Sequence, residues 1–115
     1  MRDHTKLRAF ELADELALNI YEATKGFPKE ETYGLTSQMR RAAVSVPSNI
    51  VEGCARESQG EYVHFLKIAF ASLRELLYQI NLAKWLGYLE EYDRAHNCEL
   101  RILIFFADFA AKKVI

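Results

Sequence analysis

Long segments in which apolar residues recur at steps of three and four constrain the fold of this chain most strongly. This spacing places the apolar side chains on one face of an α-helix, whereas a half-buried strand would alternate at every second residue. Four such segments cover about 6–24, 35–52, 58–86 and 90–113, and most glycines and prolines lie between them. The pattern predicts a single all-α domain over residues 1–115, an up-down-up-down four-helix bundle.

The apolar line of each predicted helix defines the expected core. Helix three has the most regular line, with steps close to the 3.5-residue period of left-handed bundle packing. The expected core residues are Phe10, Ala13, Ala17, Ile20 and Thr24 in helix one, Leu35, Met39, Ala42, Val46 and Ile50 in helix two, Tyr62, Leu66, Ala69, Leu73, Leu76, Ile80 and Ala83 in helix three, and Tyr92, Ala95, Ile102, Phe106 and Phe109 in helix four.

Individual residues predict a kink in helix two and both ends of helix three. Pro47 lies inside helix two, where it removes one backbone hydrogen bond and costs about 3 kcal/mol. The apolar period continues in phase across it, so we expect one kinked helix rather than two. Ser58 and Glu61 form a capping box that starts helix three. Gly87 is placed to end that helix in a left-handed conformation.

Apolar residues extend beyond one core face per helix. Half of the 115 residues are apolar, and a chain this short leaves many of them at its surface. Leu7, Leu12 and Leu16 widen the apolar side of helix one, and helix four is apolar nearly all round its middle. We expect this surplus to form a subunit contact. We expect Phe27 and Tyr33, in the longest connection, to fold back on the core.

The charge balance narrows the classes of function. There are 15 basic and 16 acidic side chains, for a formal net charge of −1, which disfavours a generic basic nucleic-acid binder. No signal-peptide core is present, and the densest apolar run, 100–111, falls short of the roughly 20 residues of a membrane span. Cys54 and Cys98 are expected to be free thiols in a reducing cytosol. The sequence therefore predicts a soluble, cytoplasmic protein with no membrane partner.

No arrangement of polar residues predicts catalysis, a metal or a cofactor. Glu61 and His64 match the Glu-x-x-His motif of di-iron bundles, but only once, and such a site needs it twice. His4 and His96 have no partner at a metal-ligand spacing. Cys54 precedes an arginine at position 56 that could lower the pKa of its thiol, but a nucleophile also needs an oriented base. We expect Cys54 to be structural and the chain not to be an enzyme.

Helix two carries the densest set of polar residues. Arg41, Ser45 and Asn49 follow at four-residue steps and lie on one stripe beside the apolar face. In a structural interpretation, Arg41 pairs with a carboxylate, Ser45 bonds the backbone near the proline, and Asn49 bridges two helices. In a functional interpretation, the neighbouring arginines donate to phosphate or to a partner. The candidate interaction residues are Gln38, Arg40, Arg41, Ser45, Pro47, Asn49, Glu52 and Gly53.

The same stretch carries a family resemblance. Residues 38–53 read QMRRAAVSVPSNIVEG, and this segment resembles the hallmark of the bacterial 23S rRNA intervening-sequence proteins. The segments 27–36, 61–65 and 83–89 are similar to the loop, third helix and turn of that family. The resemblance implies a small helical bundle that assembles into a ring-shaped homopentamer. It also implies kinship with the accessory protein of diversity-generating retroelements, where a strongly basic pentamer works with a reverse transcriptase and nucleic acid.

Two main hypotheses of function follow. The first is a non-enzymatic, homo-oligomeric scaffold or interaction protein. The second is an accessory protein associated with RNA, DNA or a nucleic-acid enzyme, in which Arg40, Arg41 and Arg56 make the contacts. Neither half of the chain has a surplus of basic residues, in contrast to the retroelement branch. A metal-dependent enzyme built on Glu61 and His64 is a third, weaker hypothesis.

Overall fold

Three α-helices make up most of the described chain. The computed structural model describes residues 2–90. Helix α1 spans Arg8–Thr24, α2 spans Leu35–Cys54 and α3 spans Gln59–Trp85. Short 3-10 helices at His4–Lys6 and Lys29–Glu31 precede α1 and α2. The all-α prediction is confirmed for these residues, which contain no strand. The predicted fourth helix lies outside them, apart from its first residue.

Helix α2 is the middle element of the described part. It packs along both α1 and α3, whereas no Cα atom of α1 comes within 8 Å of a Cα atom of α3. The connection between α2 and α3, residues 55–58, is short, and short loops join antiparallel neighbours. The two flanks of α2 therefore meet different helices, and its remaining side faces outward.

The predicted core lines of the three described helices are confirmed. All five positions in α2 and all seven in α3 are buried. In α1, Ala13, Ala17, Ile20 and Thr24 are buried, and Phe10 is partly buried against the same cluster. The prediction that the wider apolar flank of α1 forms a subunit contact is wrong for Leu12 and Leu16, which are buried in the core. Leu7 also packs against this core.

Pro47 does not interrupt α2. The helix continues from Leu35 to Cys54 with the proline inside it, so the prediction of one helix is confirmed, and the kink stays a prediction. Pro47 is itself buried. Packing of α2 on two neighbouring helices stabilises the helix and offsets the hydrogen bond that proline cannot donate.

Both predicted ends of α3 carry the expected signals. The Ser58 hydroxyl accepts a hydrogen bond from the Glu61 amide at 3.0 Å, which satisfies one of the free amides of the first turn. At the other end Gly87 has φ of 80°. Its amide donates to the Lys84 carbonyl at 3.0 Å, and the Tyr88 amide donates to the Ala83 carbonyl at 2.9 Å. These two bonds form a Schellman motif.

Two aromatic residues of the α1–α2 connection were predicted to fold back on the core, and one of them does. Phe27 is buried and packs against the ring of Tyr88, with ring centroids 5.2 Å apart. Tyr33, in contrast, is 95% exposed, so the prediction that it folds back on the core is wrong. On either side of Tyr33 the chain is closed by a hydrogen bond that the Leu35 amide donates to the Glu31 carboxylate at 3.2 Å. Tyr33 is left at the outer edge of the turn.

None of the helices in residues 2–90 combines the length and the apolar character that a membrane span requires.

Candidate functional site

An open groove on the outer face of α2 gathers several of the predicted interaction residues. Its volume is about 570 Å³. At 100° per residue, Val44 lies opposite the buried Met39 and Val46, so the groove and the core occupy opposite sides of α2. The lining residues are Tyr21 from α1, Thr32 and Tyr33 from the connection, and Thr36, Ser37, Arg40, Arg41, Val44 and Ser45 from α2.

Arg40 forms the wall between α2 and α1. Its Nε donates to the hydroxyl of Thr24 at 2.8 Å, and its guanidinium lies over the ring of Tyr21, 4.7 Å from the centroid. Thr24 is buried and donates in turn to the Ile20 carbonyl at 2.7 Å. These contacts commit Arg40 to holding the C-terminal end of α1 against α2.

Arg41 is the uncommitted cation of the groove. It is exposed, and within residues 2–90 the structure gives it no hydrogen bond or ion pair. The prediction that Arg41 pairs with a carboxylate is therefore wrong for the described residues. Its position on the outward side of α2 keeps it away from the ion pairs of those residues, which are short-range pairs at the surface.

Ser45 and Asn49 form a small polar network at the α2–α3 contact. The Ser45 hydroxyl lies 2.7 Å from that of Ser72 in α3, and Asn49 donates to the Ser45 carbonyl at 2.8 Å and to its hydroxyl at 3.0 Å. The two predicted roles are exchanged: Ser45 bridges the helices and Asn49 bonds the backbone. Sequence reasoning missed Ser72, whose position opposite Ser45 depends on the register between α2 and α3.

Gly53 marks the closest approach of α2 to α3. A Cβ atom at this position would lie 3.0 Å from the Cβ of Phe65 and 3.2 Å from the carbonyl oxygen of Tyr62. Contacts that short are tighter than ordinary van der Waals contact, so a side chain here would push α3 away by a few tenths of an ångström. The glycine at the end of the distinctive segment therefore permits the close approach of the two helices.

Glu52 and Arg56 lie at the opposite end of α2 from the groove. Arg56 donates to the Glu52 carboxylate and packs its guanidinium over Phe65, 4.8 Å from the ring centroid. About 15 residues of helix, or roughly 22 Å, separate it from Arg41. Arg56 therefore does not line the groove with Arg40 and Arg41, and its part in nucleic-acid contact stays a prediction. Gln38 is exposed on α2 and does not line the groove.

Cys54 lies at the end of α2, where the N-terminal residue Arg2 packs against it. The Arg2 amide donates to the Cys54 carbonyl at 2.8 Å, and the Arg2 guanidinium lies over the ring of Tyr62, 3.8 Å from its centroid. Cys54 is a free thiol and almost fully buried. Burial raises the pKa of this thiol above its ordinary value of 9.0, which makes it a poor nucleophile. Cys98 lies outside the described residues.

The residues considered for metal binding do not come together. His64 is exposed and packs edge-on against Phe65, with ring centroids 5.5 Å apart. The backbone of Glu61 takes part in the cap of α3. Across residues 2–90, no three His, Cys, Asp or Glu side chains are close enough to hold a metal ion. His96 lies outside that range.

Gln79 is a buried polar residue that the apolar pattern did not reveal. It is 4% exposed, and its Nε2 donates to Glu75 at 3.4 Å. Its Oε1 has no hydrogen-bond partner among residues 2–90, and a buried oxygen left in this way is costly. No periodic signal distinguishes it, because it lies at the edge of the apolar line of α3.

Comparison with known protein families identifies a relative of this chain. A family model described as 23S rRNA-intervening sequence protein matches residues 5–102. This range includes all three described helices and the groove between α1 and α2. No curated protein matches the chain.

Proposed function

The chain belongs to the family of 23S rRNA-intervening sequence proteins, and from this premise we propose that it acts as a non-enzymatic, homo-oligomeric scaffold or interaction protein. The observation that carries the proposal is a pair of large aromatic side chains exposed on one side of α3. Tyr78 and Trp85 lie seven residues apart and share that side, with exposed fractions of 59% and 72%. Exposed apolar patches of this kind usually mark an interface.

We also propose that the complete domain is a four-helix bundle. What supports this is the arrangement of α1 and α3, which both pack on α2 while none of their Cα atoms lie within 8 Å of each other. Diagonal helices of an up-down-up-down bundle have this relation. The apolar period of residues 90–113 supplies a candidate for the helix that completes it. A cytoplasmic location is part of the same proposal, because Cys54 is a free thiol and thiols stay reduced in the cytosol.

The proposal is tested by light scattering on variants that put a charge into the exposed face. Tyr78→Lys and Trp85→Lys are expected to lower the mass of the assembly, because each would bury an unpaired charge in the subunit contact. The matched control is Leu18→Lys on α1, where the side chain is equally open to solvent at 68%. If both α3 variants keep the mass of the native protein, this face is not the subunit contact.

An accessory protein associated with RNA or DNA is the second candidate function. The observation that favours it is the groove lining, which contains two arginines and no carboxylate, although the whole chain has a net charge of −1. Positive side chains that lie apart from acidic ones can contact phosphates locally. Retention of structured RNA by the purified protein at low salt would support this function. Absence of binding at low salt would rule it out, because phosphate contacts strengthen as salt falls.

A further inference from the structure

The groove combines a free aromatic ring with a free cation. Tyr33 is almost fully exposed, and in residues 2–90 its ring stacks on no other ring. The second tyrosine of the groove, Tyr21, already lies under the Arg40 guanidinium. Arg41 has no partner among the same residues. The groove therefore offers one flat π-face and one guanidinium that the fold itself does not use.

Hydroxyl groups complete the polar lining. Thr36 and Ser37 belong to the first turn of α2, and Thr32 lies just before it. Each hydroxyl can donate a hydrogen bond to an anionic oxygen. No carboxylate lines the groove itself, and the nearby Glu31 carboxylate accepts a hydrogen bond from the Leu35 amide. The lining therefore suits an anionic group that carries a planar ring.

We propose that this groove binds single-stranded nucleic acid, with a base stacked on Tyr33 and an adjacent phosphate held by Arg41. Sequence-tolerant binding of single strands uses this pair of contacts: an aromatic platform for the base and a cationic groove for the backbone. The inference rests on the second candidate function and deepens it by naming the ligand and the two residues that contact it. Arg40 acts as a positioning residue, because its contacts with α1 shape the wall of the groove.

An acidic peptide fits the groove less well. Peptides are held through main-chain hydrogen bonds to a sheet edge, by apolar grooves or, when they are acidic, by clusters of arginines. Arg40 is committed to α1, so the groove offers Arg41 alone rather than a cluster. The described residues contain no strand, and the groove is open rather than enclosed. A duplex also fits less well, because its bases are paired and cannot stack on an exposed tyrosine. A single strand uses both free groups.

Fluorescence anisotropy with a labelled ten-nucleotide oligouridine, and in parallel with oligothymidine, tests the proposal on the full-length protein. Arg41→Ala is expected to weaken binding about tenfold and to reduce the slope of log affinity against log salt by about 0.7, the value for one phosphate contact on a single strand. Tyr33→Leu keeps an apolar side chain but removes the ring. It is expected to weaken binding about fivefold with little change in slope.

Lys67→Ala is the matched control, because it removes one positive charge from an exposed position of α3 outside the groove. Binding that falls equally in Lys67→Ala and Arg41→Ala would overturn the proposal, as would a labelled decaglutamate that binds as tightly as the oligonucleotide. Oligonucleotide binding that survives both groove variants would overturn this site while leaving a nucleic-acid function in place. No oligonucleotide binding at 20 mM salt would overturn this site, and the nucleic-acid function would fall as well only if structured RNA is not retained at that salt. Variant masses from light scattering confirm that the assembly is unchanged.

Discussion

Arg40 and Arg41 are neighbours in the sequence, but their side chains meet different surroundings. Arg40 donates to Thr24 and covers the ring of Tyr21, so it joins two helices. Arg41 is exposed beside it. The difference follows from the 100° turn between successive helical residues, which points one side chain toward α1 and the other toward solvent.

This division of roles predicts that alanine substitution at the two positions changes the free energy of unfolding by different amounts. Arg40→Ala is expected to lower the free energy of unfolding by about 1.5 kcal/mol, because it removes a charged hydrogen bond to a buried hydroxyl. Arg41→Ala is expected to change that free energy by less than about 0.5 kcal/mol, as do most exposed substitutions. Urea unfolding followed by circular dichroism measures both. Equal losses in the two variants would contradict the assignment.

Cys54 allows a second prediction at the residue scale. In a Cys98→Ala background it is the one remaining thiol. Because burial raises the pKa of Cys54 above 9.0, its reaction with a thiol reagent at pH 8 is expected to be far slower in the native protein than in urea. The folded state keeps a proton that the unfolded state releases, so this thiol makes stability fall as pH rises above 9. Native and unfolded thiols that react at the same rate would contradict this prediction.

The contact between α2 and α3 depends on two elements fitting closely. Gly53→Ala is expected to destabilise the protein by about 1–3 kcal/mol, because its Cβ would press on the backbone and side chains of α3. Gly60→Ala is the control. Nothing lies within 4 Å of the Cβ at that position, and alanine favours the helix by about 0.5–1 kcal/mol. Denaturation midpoints that fall in both variants would show that the loss at Gly53 does not come from packing.

The apolar period and the capping residues predicted the described helices well, because both depend on geometry within one helix. Burial on one face fixes the three- and four-residue spacing of α2 and α3, and Ser58 and Gly87 have roles that depend only on local backbone geometry. Contacts between helices were harder to predict. The pairing of Ser45 with Ser72 depends on how the helices align, which no local pattern records.

The candidate site was predicted only in part. The sequence singled out both groove arginines, because helix two carries the densest set of polar residues. It did not single out Tyr33 as exposed, because an aromatic residue in a connection can either pack inward or remain outside. The Leu35 amide donates a hydrogen bond to Glu31 and closes the turn. In this turn Tyr33 takes the outward position, with its side chain exposed.

For the whole molecule, the described helices leave two outward surfaces with different chemistry. The groove on α2 carries cations, hydroxyls and tyrosines, whereas the far side of α3 carries Tyr78 and Trp85. A scaffold that assembles through one surface keeps the other available to a partner. The proposed assembly and the proposed ligand site therefore do not compete for the same residues.

Self-association is the central claim, and the mass of the native protein in solution tests it most directly. Sedimentation equilibrium at micromolar concentration and physiological salt is expected to give a homo-oligomer, with the pentamer at five times the 13.3 kDa mass of one chain. The exposed aromatic face of α3 supplies the apolar contact that would hold such an assembly together. A single species of 13.3 kDa across this concentration range would contradict the claim.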